Sequence, residues 1–480
     1  MTSTLGVAAT TPGLDMHRTA GKGAEGQLPL AGRSDGGHSP PYGLPSVLRA
    51  FRHRNYQLFF GGQLISLTGT WMQSVAQSWL VYQLTGSAVL LGFVGFASQI
   101  PVFLLAPVGG SVADRYRRRQ ILVATQTAAM LLAFLLAALT LSGRVQVWHV
   151  FALAALLGVV NAFDLPTRQA FVVDMVGRED LINAIALNSS MFNGARLVGP
   201  AVAGVLIDTI GEGWCFFANG VSYLAVIAGL LLMSMTVRTR VPLPGSALAS
   251  IIEGFRYVKR TGPIRALLLL LGLVSLVGMP YTVLMPIFAD QILHGGPRGL
   301  GLLMSAIGLG ALAGALTLAA KKGIHGLGHW VALSAMGFGV SLILFSLSRS
   351  FWLSAALLLP VGFSIMVEMA SSNTLIQSLV PDSLRGRVMA VYSMTFMGMA
   401  PFGSLLAGAL AHRLGAPATV VTGGIVCIVG AAVFGLCLPA LRQEAKQIII
   451  ALEAAGGEPP EEMTGEASAL APRDSENREK

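Results

Sequence analysis

Between Phe59 and Val81, in a largely apolar stretch, five uncharged polar residues recur at alternating spacings of three and four: Gln63, Ser66, Thr70, Gln73 and Gln77. On an α-helix this spacing gathers them on one face. Three glutamines on one face carry too many hydrogen-bonding groups to turn toward hydrocarbon cheaply. The stripe therefore faces an aqueous cavity or a neighbouring helix. Its length favours the cavity, because hydrogen bonding between helices needs only one or two such groups. Only the small hydroxyls of Thr68, Ser74 and Ser78 lie off the stripe.

Charged residues inside the other apolar stretches are few, and each is a candidate for function. Arg196 is the one cation deep in such a stretch, with Ser189 and Asn193 forming a polar face beside it. Its guanidinium can hold an anionic group of a bound molecule or pair with an acid, Asp164 or Glu368 being the available partners. Asp164, Glu368 and Asp290 are the acids placed to carry a proton, since a carboxyl withdrawn from water costs least when neutral. Glu368 is the better carrier, because Asp164 lies within reach of arginines that would keep it charged. The three cysteines, Cys215, Cys427 and Cys437, sit in apolar stretches with no metal-ligand spacing, so neither a disulfide framework nor a metal site is expected. No His-Glu-x-x-His, phosphate-binding Gly-x4-Gly-Lys-Ser/Thr or Gly-x-Ser-x-Gly occurs, which argues against ATP-driven pumping and common hydrolase chemistry. No catalytic residue and no cofactor are expected.

The elements that position these residues follow from composition. Of 480 residues 54% are hydrophobic and 11% charged, against roughly 25% charged in a soluble domain. A span of the bilayer core takes about 20 apolar residues, and stretches of that kind predict helices near 57–82, 88–112, 120–142, 147–165, 184–210, 214–236, 264–289, 299–320, 328–348, 351–376, 388–412 and 418–440. The fold class expected is thus an all-α membrane protein of twelve transmembrane helices. Residues 1–46 and the end of 441–480 are too rich in Gly, Pro, Ser and Glu to bury a core and are expected to be disordered tails. Between them the chain divides into a first bundle (47–236), a linker (237–263) and a second bundle (264–440). No cleavable signal peptide is expected.

The formal charge of +9 does not indicate nucleic acid, because it is distributed by topology. Arg49, Arg52 and Arg54, the run Arg115 to Arg119, Arg168, Arg178, Arg238, Arg240, Arg256 to Arg265, Lys321, Lys322, Arg385, Arg387, Arg442 and Lys446 flank one end of the predicted spans. Arg144, Arg298, Arg349 and Arg413 flank the other. The positive-inside rule then places both termini in the cytoplasm, which requires an even number of spans.

A repeat is also present. Adding 204 to a position in the first half reaches a matching residue in the second: Gly110 and Gly314, Trp148 and Trp352, Gly158 and Gly362, Asp164 and Glu368, Ser189 and Ser393, Phe192 and Phe396, then Gly194, Gly199 and Gly204 with Gly398, Gly403 and Gly408. A single offset held over four helices implies a duplicated six-helix unit, and since six is even the two copies are parallel. Arg196 breaks the symmetry, its partner being Ala400.

Gly110-Ser-Val-Ala-Asp114-Arg115-Tyr-Arg117-Arg118-Arg119 resembles the cytoplasmic loop signature of the major facilitator superfamily, with Arg117 where the family usually has Gly. The segment from Asn193 through Gly194, Gly199, Pro200 and Gly204 is similar to the Gly-Pro motif of its proton-coupled antiporters. Arg54-Asn-Tyr56, Gly62-Gln63, Trp71-Met-Gln73, Asp164-Leu-Pro166-Thr-Arg168 and Asn183 to Asn188 resemble the branch of enterobactin exporters and macrolide-efflux-like proteins, over about residues 50–440. The resemblance implies a substrate site between the halves near the midplane. It implies a cytoplasmic latch built from Gly110, Asp114, Arg115, Arg118, Arg119, Asp164 and Arg168, and close helix packing at Gly194, Gly199 and Gly204 with a kink at Pro200. It further implies a monomeric multi-pass exporter in a bacterial cytoplasmic membrane, with a small organic molecule (a siderophore, a macrolide-like drug or another secondary metabolite), protons and lipid as partners. An importer or lipid flippase on the same scaffold is the alternative, with a membrane enzyme or receptor behind it.

Overall fold

The computed structural model describes residues 46–177, 179–234, 247–321, 323 and 326–454. The expected tail 1–46 (apart from Ser46), the segment 455–480 and the basic residues Arg178, Arg238, Arg240 and Lys322 lie outside them. After a short 3-10 turn, Ser46–Arg52, the first half comprises α1 (Arg54–Thr85), α2 (Ala88–Arg115), α3 (Arg118–Leu141), α4 (Val147–Val176), α5 (Leu181–Ile210) and α6 (Glu212–Leu232). A linker helix α7 (Ala247–Arg260) follows. The second half comprises α8 (Gly262–Ile292), α9 (Gly296–Ala320), α10 (Leu327–Leu347), α11 (Phe351–Ser378), α12 (Asp382–Leu414) and α13 (Ala416–Ala454).

Among the described residues, eleven helices are long and apolar enough to cross a bilayer. The twelfth expected span, α1, meets the length requirement with 32 residues, about 48 Å at 1.5 Å per residue. Its polar stripe keeps it below the others in hydropathy. Short turns make successive helices alternate in direction. The end where α1 begins and α13 leaves is termed the terminal end, and the opposite one the far end. The repeat is visible at the far end. Gly211 and Gly415, 204 residues apart, hold φ of 90° and 84° at the α5–α6 and α12–α13 turns, a region open to glycine at no steric cost. Trp148 and Trp352 are both exposed in the first turn of their helices, where an indole suits a membrane interface.

Two boundaries differ from expectation. Residues 441–454, assigned to the tail, continue α13 as helix, and Glu444 Oε1 accepts a 2.9 Å hydrogen bond from Gly262 N at the start of α8. The expected linker carries a helix, α7, pinned to the second half where Gly254 lies against the Arg387 backbone and Glu253 pairs with Arg387. The span α8 is broken: Val274–Gly278 and Phe288–Ile292 are π-helical and Met279–Leu284 is 3-10. Pro280 and Pro286 lack the N–H donors a continuous helix needs there.

Repeat-equivalent glycines join the halves. A Cβ on Gly204 of α5 would stand 2.9 Å from Pro297 O of α9, and one on Gly408 of α12 would stand 2.7 Å from Ala88 O of α2. Ser305 Oγ donates to Leu197 O at 2.8 Å, and Phe96 and Phe402 meet edge to face. Arg298 and Asp208 form an ion pair, and Tyr82 donates to Asp290. These contacts run from the middle of the helices to the far end, so the halves are closed against each other there.

Candidate functional site

Where the halves meet, a cavity of about 400 Å³ is walled by α1, α2, α5, α8, α9 and α12. The broken α8 contributes Ser275, Met279 and Thr282, and α2 contributes Ser98 and Gln99. Arg196 is the only charged residue in the lining. Its guanidinium carbon lies 5.7 Å from the centre of the Trp71 ring, and Trp71 meets Phe192 edge-on at 5.6 Å. Such a cation over an indole face is favourable, but it leaves the N–H donors in the guanidinium plane free to bind.

The helix 1 stripe lies elsewhere. Gln63, Ser66 and Gln73 are buried, Gln63 Oε1 accepting from Arg168 and Gln73 Oε1 accepting from Asn219 Nδ2 at 2.6 Å. Thr70 turns its hydroxyl back onto Ser66 O. Of the five, Gln77 alone lines the cavity, which instead receives Trp71, Ser74 and Ser78 from the other side of α1. The expected cavity face is thus mostly a helix–helix seam. Gly69 lets α6 close on α1 against Asn219 and Ser222; Gln73 finds its partner there, and Gln63 finds Arg168 on α4. On α5, Arg196 lines the cavity, whereas Asn193 is buried with its Nδ2 on Ser189 O, and Ser189 is exposed.

The repeat-equivalent acids have opposite surroundings. Asp164 Oδ1 accepts from Thr125 Oγ1 and Gln126 Nε2, both at 2.8 Å. Arg168 Nη2 stands 2.7 Å from its Oδ2, a charge contact poorly aligned for a hydrogen bond. Glu368 is fully buried with no partner on either oxygen, and the Ser371 and Ser372 hydroxyls nearby are also unsatisfied. Ser372 is the repeat equivalent of Arg168, so the second half lacks the cation that pairs with the acid in the first. Neither acid is bonded to Arg196. Asp290, the third candidate, is engaged by Tyr82 at 2.7 Å across the halves.

At the terminal end the latch residues bind within their own half. Arg118 donates to Ala113 O and Ala170 O and stands 3.4 Å from Asp114 and 3.3 Å from Asp174. Arg119 donates to Leu231 O, and Arg115 is exposed. Asp164 pairs with Arg168 and not with the loop arginines. Asp174, one helix away from the motif, was not legible as a member of this cluster. Gly110 faces open space; its neighbour Gly109 makes the close approach, against Ala162 of α4. Gly194 likewise meets nothing, while Gly199 packs on Trp71 and Thr68 of α1, Gly204 on α9, and Pro200 lines the cavity.

Residues 45–454 match the family described as transmembrane secretion effector. The chain is 26% identical over 373 residues to the staphyloferrin A transporter of Staphylococcus aureus (strain NCTC 8325 / PS 47), covering 77% of this chain and 93% of that protein. It is 27% identical over 393 residues to the multidrug efflux pump Tap of Mycolicibacterium fortuitum, covering 78% and 93%. To the enterobactin exporter EntS of Shigella boydii serotype 4 (strain Sb227) it is 24% identical over 393 residues, covering 82% and 93%. Among solved structures, the nucleoside transporter NupG superposes with a TM-score of 0.62 at 14% identity, covering 82% of this chain and 99% of that one; at that identity the likeness concerns the fold alone.

Proposed function

The chain belongs to the transmembrane secretion effector family of the major facilitator superfamily, and from that membership we propose that it exports a small organic molecule by alternating access, driven by proton influx. Its relatives include transporters named for staphyloferrin A, enterobactin and multiple drugs, and a siderophore, macrolide-like drug or other secondary metabolite is the substrate class. The observation that carries the reading is the cavity shared by both halves and closed toward the far end. With both termini in the cytoplasm of a bacterial cell, a placement the basic flanks support, this is the state that admits substrate from inside. Parting the far-end contacts and closing the loop at Asp114, Arg115, Arg118 and Arg119 then delivers it outside. One chain holds a complete cavity, so a monomer suffices.

Glu368 is the proton carrier of this reading. A buried carboxyl without hydrogen-bond or ionic partners is cheapest in neutral form, and release of its proton requires a state in which water or a cation reaches it. Asp164, held by Arg168, Thr125 and Gln126, has a structural role. The test is transport by full-length protein in liposomes loaded with a fluorescent organic dye. An acid exterior accelerates dye release by the native chain, whereas Glu368→Gln loses that acceleration and still equilibrates dye down its own gradient. A Glu368→Gln protein that responds to the gradient as the native chain does removes Glu368 from coupling.

A further inference from the structure

We propose that the cavity selects organic anions, seating a carboxylate on the Arg196 guanidinium with the attached carbon skeleton against Trp71. This deepens the export reading and rests on it. Arg196 is the only charge in the lining, and no Asp, Glu or Lys shares that wall. Its candidate intramolecular partners are otherwise disposed: Asp164 is held by Arg168, and both Glu368 oxygens are without any partner. Among the described residues none accepts a hydrogen bond from the guanidinium, whose one contact of note is the Trp71 face. Tyr281, which is buried, interacts electrostatically with the guanidinium, and a neutral phenol does not neutralise a cation.

A guanidinium carries five N–H donors in a planar fork that matches two carboxylate oxygens. Among the described residues no acid faces that charge, and a bound carboxylate supplies both the opposite charge and acceptors for the fork. The rest of the lining fits the remainder of such a molecule. Trp71, Met279, Met304 and Ile307 offer apolar and aromatic surface, and Gln77, Gln99, Ser98 and Thr282 offer uncharged hydrogen bonding. The volume of about 400 Å³ falls in the range that holds a drug-sized ligand. A cationic ligand meets an uncompensated like charge in the same space and no acid to receive it. The repeat equivalent, Ala400, lines the same cavity, so the anion site is one-sided and the skeleton lies across toward α12.

Full-length protein is reconstituted in liposomes loaded with 5-carboxyfluorescein or with rhodamine 123, dyes sharing a xanthene skeleton but opposite in charge, and release is followed with an acid exterior against protein-free liposomes. The native chain accelerates release of carboxyfluorescein and not of rhodamine 123. Arg196→Gln raises the carboxyfluorescein concentration for half-maximal release by about thirtyfold or more, the scale expected when one partner of a desolvated charge pair is removed. Arg196→Lys falls between, because it keeps the charge and loses the fork. Each variant's gel-filtration profile shows whether it is folded, and Arg196→Lys provides the reading if Arg196→Gln does not fold. Release of rhodamine 123 alone, or native behaviour of a folded Arg196 variant toward carboxyfluorescein, overturns the anion site and leaves export standing. Acceleration of neither dye overturns the export reading itself and the anion site with it.

Discussion

Arg298 Nε stands 2.6 Å from Asp208 Oδ2, joining α9 of the second half to α5 of the first at the far end. Both side chains are more than a third exposed, so the pair is worth at most about 1 kcal/mol, or about a fivefold shift between closed and open far ends. Arg298→Ala is expected to make a cysteine at position 78, in the cavity, react faster with a membrane-impermeant thiol reagent added from the far side. The reversed pair, Arg298→Asp with Asp208→Arg, restores slow labelling. Unchanged labelling in Arg298→Ala would mean that Tyr82–Asp290 and the glycine contacts hold the gate unaided.

The acids at 164 and 368 should respond differently to loss of charge. Asp164→Ala strands Arg168 and the Thr125 and Gln126 donors in a buried site, and removing one member of a buried ion pair costs about 3–5 kcal/mol. The expected outcome is a marked loss of folded protein in a detergent gel-filtration assay. Glu368→Gln breaks no existing bond and should yield native amounts. Equal yields from both variants would contradict the assignment of one acid to structure and the other to proton carriage.

Much of this contrast was already legible in the sequence. The 204-residue offset aligned Asp164 with Glu368 and marked Arg196 as the unmatched charge, because both facts depend only on residue type and spacing. The destination of the helix 1 stripe was not legible. Periodicity fixes the angle at which Gln63, Ser66, Thr70 and Gln73 leave the helix, but not what stands opposite, and the partners Arg168 on α4 and Asn219 on α6 lie far along the chain. Gly109, in place of Gly110, makes the close approach for a similar reason: two adjacent glycines differ by 100° around the helix, and only packing selects between them.

At the terminal end, Asp180 ties the chain before α1 to the start of α5. His53 Nε2 lies 2.9 Å and Arg52 Nε 2.7 Å from its Oδ2, and Ala50 N donates to Asn183 Oδ1. The His53 hydrogen bond foremost, with the Arg52 and Arg49 charges, holds the Asp180 carboxyl below its ordinary value despite opposition from burial. A carboxyl whose value is depressed in the folded state contributes stability above its unfolded value, about 3.9. That contribution disappears as pH falls through the folded value. Hydrogen exchange over residues 49–53, corrected for intrinsic rates, should therefore be slow at pH 6 and fast below pH 3, and Asp180→Asn should be fast at both. Protection in Asp180→Asn equal to native at pH 6 would remove the carboxylate from the staple.

The faces of α1 can be separated by labelling. In a background with Cys215, Cys427 and Cys437 replaced, cysteines at 74 and 78 stand in the lining of the cavity, whereas those at 66 and 73 are enclosed between α1 and α6. A small hydrophilic thiol reagent needs water around its target, so positions 74 and 78 should react at least about tenfold faster than 66 and 73, which open only with local separation of packed helices. Carboxyfluorescein, if it sits on Arg196 against Trp71, should slow reaction at 74 and 78 and leave 66 and 73 unaffected. The opposite ranking, with 66 and 73 the faster pair, would mean that the glutamine stripe lines the pathway after all and that the seam with α6 belongs to another state of the transport cycle. Repeating the labelling in the Asn219→Ala protein tests the cause. Without its Asn219 partner, Gln73 loses the 2.6 Å hydrogen bond that fixes it in the seam, and labelling at 66 should rise while that at 78 stays constant.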